Sequence, residues 1–150
     1  MVDVQTVSIA IASVSVVVGV IYYSLQIRHQ NRMRQTELTM RLYQQFGSKE
    51  FMDSWWQVIN REDKDYNEYV KEYGATELLQ ISTYFEGVGI MLHRKLLDID
   101  MAIEFFGEPI RRLWEKNKTI MKQMHADKCF WFEYLYNEMK KREQAGVKNG

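Results

Sequence analysis

VQTVSIAIASVSVVVGVIYYSLQI, residues 4–27, is the stretch on which the fold turns. It holds no Asp, Glu, Lys or Arg across 24 residues. About 20 mostly apolar residues suffice for a helix to cross roughly 30 Å of hydrocarbon. The β-branched residues Val14, Val16, Val17, Val18, Val20 and Ile21 do not oppose this. In lipid every backbone group must bond within its own segment, and that forces the helix. Tyr22 and Tyr23 stand where an interfacial aromatic belt belongs. A cleaved signal peptide fits less well. Asp3 precedes the run with no Lys or Arg, and the small-x-small triplet Ala10-Ile11-Ala12 falls inside it rather than after it. A buried core helix fits less well too, because a small domain rarely covers 24 charge-free residues on all sides.

Outward from this run, charge sets an expected orientation. Every Lys and Arg of the 150-residue chain lies at or after Arg28. Arg28, Arg32, Arg34 and Arg41 face a single Glu37. The positive-inside rule then predicts a single-pass cell-membrane protein, N-terminus outside, with residues 28–150 in the cytoplasm. Arg28, Arg32 and Arg34 are the expected contacts to anionic lipid headgroups, each worth about 1 kcal/mol near the surface. Within the run, Ser8, Ala12, Ser15 and Gly19 share one narrow sector at 100° per residue. Such a stripe admits a close second helix, so these four are expected to pack against a membrane partner or a second copy of the chain.

The remainder reads as helical: one proline, eight glycines and abundant Leu, Met, Glu, Lys and Gln. The expected fold is all-α, a transmembrane helix (4–27) continuing through a juxtamembrane helical extension (28–47) into a cytoplasmic multi-helix bundle (48–144), then a flexible tail (145–150). Uninterrupted helix over 4–46 would be roughly 65 Å long. Gly47-Ser48 stops it, with Ser48 as the next N-cap. Phe51, Met52, Trp55 and Ile59 form the apolar face that follows. A short helix through Tyr66, Tyr69, Val70 and Tyr73 ends at Gly74. Leu78, Ile81, Phe85, Val88 and Leu92 give the clearest amphipathic pattern, alternating steps of three and four. Gly87-x-Gly89 inside it predicts a close helix crossing. Asp98 or Asp100 caps a short helix expected to end at Gly107, with Pro109 opening another. A last helix is expected from about Lys128 to Gln144.

This order of features resembles a family of short prokaryotic proteins with one N-terminal membrane span and a helical domain of unknown function. The likeness rests on Tyr84-Phe85-Glu86, Leu96-Leu97-Asp98-Ile99-Asp100, Phe105-Phe106-Gly107, Trp114 and Phe132-Glu133-Tyr134-Leu135. The resemblance implies no activity and no site.

Charge and cysteine content exclude several function classes. Lys plus Arg equals Asp plus Glu, so there is no basic excess for nucleic acid. One cysteine, Cys129, excludes an internal disulfide and any metal site needing two cysteines from this chain. His125-x-Asp127-x-Cys129 is the one cluster of metal-type side chains. It reads better as a helix N-cap beside a buried thiol. Glu86, Asp98, Asp100 and Glu104 lack the Glu-x-x-His pairing of a di-iron bundle. No P-loop, Rossmann or nucleophile-elbow pattern is present, and no cofactor is implied.

Aromatic surplus points elsewhere. Phe130, Trp131, Phe132, Tyr134, Leu135 and Tyr136 cannot all face one core from one helix, nor can Trp55 and Trp56. Trp131 is expected in the core. Trp56, Phe130, Phe132 and Tyr136 are expected at a partner interface, where aromatic side chains dominate binding energy. The expected function is non-enzymatic, an accessory or regulatory subunit docking onto an integral membrane protein or complex. The alternative is a membrane-tethered sensor enclosing a small apolar or heme-like ligand, with His93 or His125 as axial candidates.

Overall fold

The structure is a computed structural model describing residues 3–124 and 129–147. All regular structure among them is helical, in six elements. α1 spans Val4–Phe46, α2 Lys49–Asn60, α3 Tyr66–Tyr73, α4 Thr76–His93, α5 Ile99–Met124 and α6 Phe130–Val147. The chain divides into two compact units, Met1–Glu37 and Leu38–Gly150.

The first unit is the N-terminal part of α1. Its apolar side chains from Val4 to Ile27 are exposed, and its most apolar 18-residue window, mean hydropathy 2.0, is 0 % buried. It is the one helix among the described residues long and apolar enough to cross a membrane. The serines it carries are satisfied internally. The hydroxyls of Ser8, Ser13, Ser15 and Ser24 donate to the carbonyls of Val4, Ile9, Ile11 and Val20 at 2.8–2.9 Å. Four polar groups that would be costly in hydrocarbon are thereby paired within the helix.

The second unit is built around α4, which packs on α6, α2 and α5. Local chemistry sets the helix ends. Ser48 accepts from the Phe51 N–H at 3.3 Å and caps α2. Asp65 caps α3 through Asn67 and Glu68. Gly74, at φ 75°, ends α3 in a conformation L side chains avoid. Asp98 caps α5 through the N–H groups of Asp100 and Met101. α4 ends in a Schellman turn: Leu96 N–H donates to Met91 and Lys95 N–H to Leu92. Lys95 takes the left-handed position there, at φ 59°.

One expected break is absent. Gly107 and Pro109 lie inside α5, which runs unbroken from Ile99 to Met124. The buried positions Ala102, Phe106, Ile110, Leu113, Asn117 and Ile120 continue across them without change of phase. Proline removes only the N–H that would bond the Phe105 carbonyl. The common apolar face on both sides outweighs that loss.

The core closes around rings. Phe46, the last residue of α1, meets Phe51, Trp55, Phe85 and Phe106 at centroid distances of 5.2–6.2 Å. Tyr84 donates its hydroxyl to the Leu42 carbonyl at 2.6 Å, tying this end of α1 to α4. Phe85 stacks on Phe132 at 5.2 Å, and Trp114 meets Phe132 edge-on at the same distance.

Candidate interaction surfaces

α6 carries the aromatic surplus, and the first turn of the helix is placed from α4. Cys129 occupies the N-cap position, but its thiol donates to the Met121 carbonyl and cannot cap. Glu86 caps instead, across the bundle. Its carboxylate accepts the N–H groups of Trp131 (3.2 Å) and Phe132 (2.9 Å). Burial pushes this carboxyl above the ordinary range, while the two N–H groups pull it down. One turn on, Gly89 admits the α6 backbone: a Cβ there would lie 2.1 Å from the Trp131 carbonyl oxygen. Gly87 has nothing within 4 Å, so the expected close crossing rests on Gly89 alone.

With α6 fixed this way, Phe132, Leu135, Tyr136 and Met139 turn into the core. This corrects the expectation for Phe132 and Tyr136, which are buried and offer no docking surface. Trp131, expected in the core, is half-buried at its edge. The steps of three, one and three along the buried set make the usual helical stripe. The line of Trp131 and Tyr134 runs on to Glu138 and forms the edge of the core instead, both rings being half-buried. Tyr136 keeps its polar end occupied, donating to Glu115 at 2.8 Å.

Phe130 remains outside, 61 % exposed. Its ring meets Trp131 at 4.9 Å. Trp131 in turn meets His93 at 4.6 Å and Tyr134 at 5.9 Å. The result is a surface aromatic cluster over the α4–α6 crossing, with Ile90 and Arg94 exposed on the same end of α4. Periodicity did not reveal that His93 belongs to it. His93 is exposed among these rings rather than turned into the bundle. Trp56 is 52 % exposed on α2, while Trp55 fills the core.

Other sequence candidates resolve into structural roles. Asp98 is a cap. Asp100 receives a two-pronged contact from Arg142 at 2.6 and 2.8 Å, which holds its carboxyl below the ordinary range. Glu104 is exposed. The Cys129 thiol is buried, and desolvation pushes it up to about 11. Among the described residues, no three His, Cys, Asp or Glu side chains gather as a metal site. His125 and Asp127 lie outside the described residues. In the first unit, Ser8, Ala12, Ser15 and Gly19 are exposed along α1, as are Arg28, Arg32 and Arg34.

A long apolar N-terminal helix followed by an all-helical domain defines the class. Residues 9–139 match the family described as Domain of unknown function (DUF4760), and the chain belongs to it. No curated protein and no solved structure gives a match. Several residues on which the resemblance rests have structural roles: Tyr84 and Glu86 tie helices together, while Phe85, Phe106, Trp114, Phe132 and Leu135 fill the core.

Proposed function

We infer that this protein is a single-pass membrane-anchored subunit whose helical domain docks, in an accessory or regulatory role, onto a larger membrane complex. One observation carries the reading. The apolar run of α1 is exposed along its whole length, with its serine hydroxyls already bonded to its own carbonyls. Such a helix is suited to hydrocarbon and costly in water, at about 25 cal/mol per Å² of apolar surface. The arginines that follow it favour a cytoplasmic placement of residues 28–150 in the cell membrane. The stripe of Ser8, Ala12, Ser15 and Gly19 supplies a surface for an integral membrane partner or a second copy. Phe130 and Trp56 supply aromatic anchors on the domain.

Purification of the full chain from native membranes in mild detergent tests this. A specific integral membrane protein is expected to co-purify and to be lost from Phe130→Ala or Trp56→Ala variants that stay folded. A lone chain after gentle extraction overturns the reading.

A further inference from the structure

The first turns beyond the apolar run hold a second feature, distinct from the small-residue stripe. Arg28, His29, Asn31, Arg32 and Gln35 line one open depression on α1. No acidic residue lies between Asp3 and Glu37, so nothing in this stretch offsets the two arginines. At 100° per residue, Arg32 lies about 40° round the helix from Arg28, whereas Arg34 lies about 120° away on the other side. Upstream, Ile21 and Leu25 fall within about 60° of Arg28, and both are more than half exposed. Ile21, Leu25, Arg28 and Arg32 thus form one line, apolar then cationic. It is about 16 Å long, near the depth of one leaflet. The stripe of Ser8, Ala12, Ser15 and Gly19 lies about 140–200° round the helix from Arg28 and about 80–140° from Leu25.

We propose that this line is a binding site for one anionic phospholipid. The acyl chains lie along Ile21 and Leu25. The phosphate is held by the Arg28 and Arg32 guanidiniums, with the Asn31 side-chain amide as a further donor. Guanidinium suits this ligand because its planar fork offers paired donors to phosphate oxygens and is weakly hydrated. The stripe occupies a separate sector, most distant from the arginines, so a lipid and a partner helix can be held together. The proposal rests on the membrane-anchored reading and adds to it one discrete lipid site on one face, in place of diffuse headgroup contacts.

The full-length chain is reconstituted into phosphatidylcholine vesicles carrying a trace of spin-labelled phosphatidylglycerol or spin-labelled phosphatidylcholine. The motion-restricted fraction of each label reports association with the protein. Phosphatidylglycerol is expected to be preferred by about fivefold or more, a tenfold ratio corresponding to 1.4 kcal/mol. The R28Q/R32Q double variant should lose the preference, R28K/R32K should keep part of it, and R34Q, which removes only the diffuse attraction of one arginine near the leaflet, should keep most of it. Equal loss in R34Q means diffuse charge attraction and overturns the site. Absence of any preference in the unaltered chain overturns it too. Inorganic phosphate in the buffer separates the two sources of the anion: undiminished restriction assigns the site to lipid, and displacement assigns it to a free anion and overturns the lipid proposal. An alkaline wash of the same vesicles keeps the two readings apart. A chain stripped off by the wash refutes the membrane anchor, whereas a chain retained without lipid preference refutes the headgroup site alone.

Discussion

Phe130 and Phe132 stand two positions apart on α6 with opposite surroundings. Phe132 is fully buried between Phe85 and Trp114. Phe130 faces outward, its ring edge-on to Trp131. Phe132→Ala should therefore cost about 3–5 kcal/mol, a large part of the roughly 5–15 kcal/mol that holds a domain. Phe130→Ala should stay within about 0.5 kcal/mol of the unaltered chain. Urea titrations of the two full-length variants decide it; similar midpoints would place both rings in one environment. Glu86 makes a pH prediction. Folding raises its carboxyl above the ordinary 4.5, desolvation being the main cause. The native state then holds a proton that the unfolded chain has released. Stability from this source is complete below about 4.5 and is lost as pH rises through the raised native value. Glu86→Gln cannot ionise, so its Tm should fall less over that interval. Parallel Tm profiles would show that Glu86 titrates as it does in the unfolded chain.

Among the elements, α5 separates what the sequence tells from what it hides. Gly107 and Pro109 are the usual punctuation of a helix end, and on propensity alone they divide the segment. The overriding signal was also present: Ala102, Phe106, Ile110 and Leu113 hold one phase across both residues. Only packing on α6 and the rest of the core makes that phase decisive. The caps at Ser48 and Asp98 and the stops at Gly47 and Gly74 were legible because each acts within a few residues. The Glu86 cap on α6 was not, since its donors lie 45 and 46 residues away. The same limit explains the misplaced face of α6: with apolar residues all round, only a tertiary constraint selects one side. Two glycines test these assignments. At Gly107 a Cβ meets Ile103 and Met139 at an ordinary 3.6 Å, so Gly107→Ala should stabilise by about 0.5–1 kcal/mol, as in any helix interior. A helix end there would give the reverse sign. Gly89→Ala drives a Cβ into the Trp131 carbonyl and should cost about 3 kcal/mol. Thermal melts of the two variants should move in opposite directions, and a harmless Gly89→Ala would mean α4 and α6 are farther apart.

At the scale of the whole molecule, the proposed topology predicts which ends an impermeant thiol reagent can reach. An Asp3→Cys variant should be labelled from outside intact cells, and an Asn137→Cys variant only after the membrane is opened. The opposite pattern would reverse the orientation drawn from Arg28, Arg32 and Arg34. These arginines and the apolar run before them were legible directly, because lipid acts on composition rather than on a tertiary arrangement. The exposed aromatic cluster was legible only as an excess, since a sequence counts rings without saying which are covered.

Cys129 gives such labelling a low background and has a use of its own. The one thiol in the chain sits at the start of α6, bonded to the Met121 carbonyl, with its ionisation suppressed by burial. Thiolate is the reactive form, so a folded molecule is nearly silent to alkylation and each reaction event marks a moment when this corner has come apart. The chain therefore carries a built-in clock for the detachment of α6 from α4. Its ticking, read by mass spectrometry under native conditions, should quicken in Glu86→Ala, which takes away the cap, long before the rest of the domain unfolds. If the rate changes only in step with global unfolding, the two helices part as one unit with everything else.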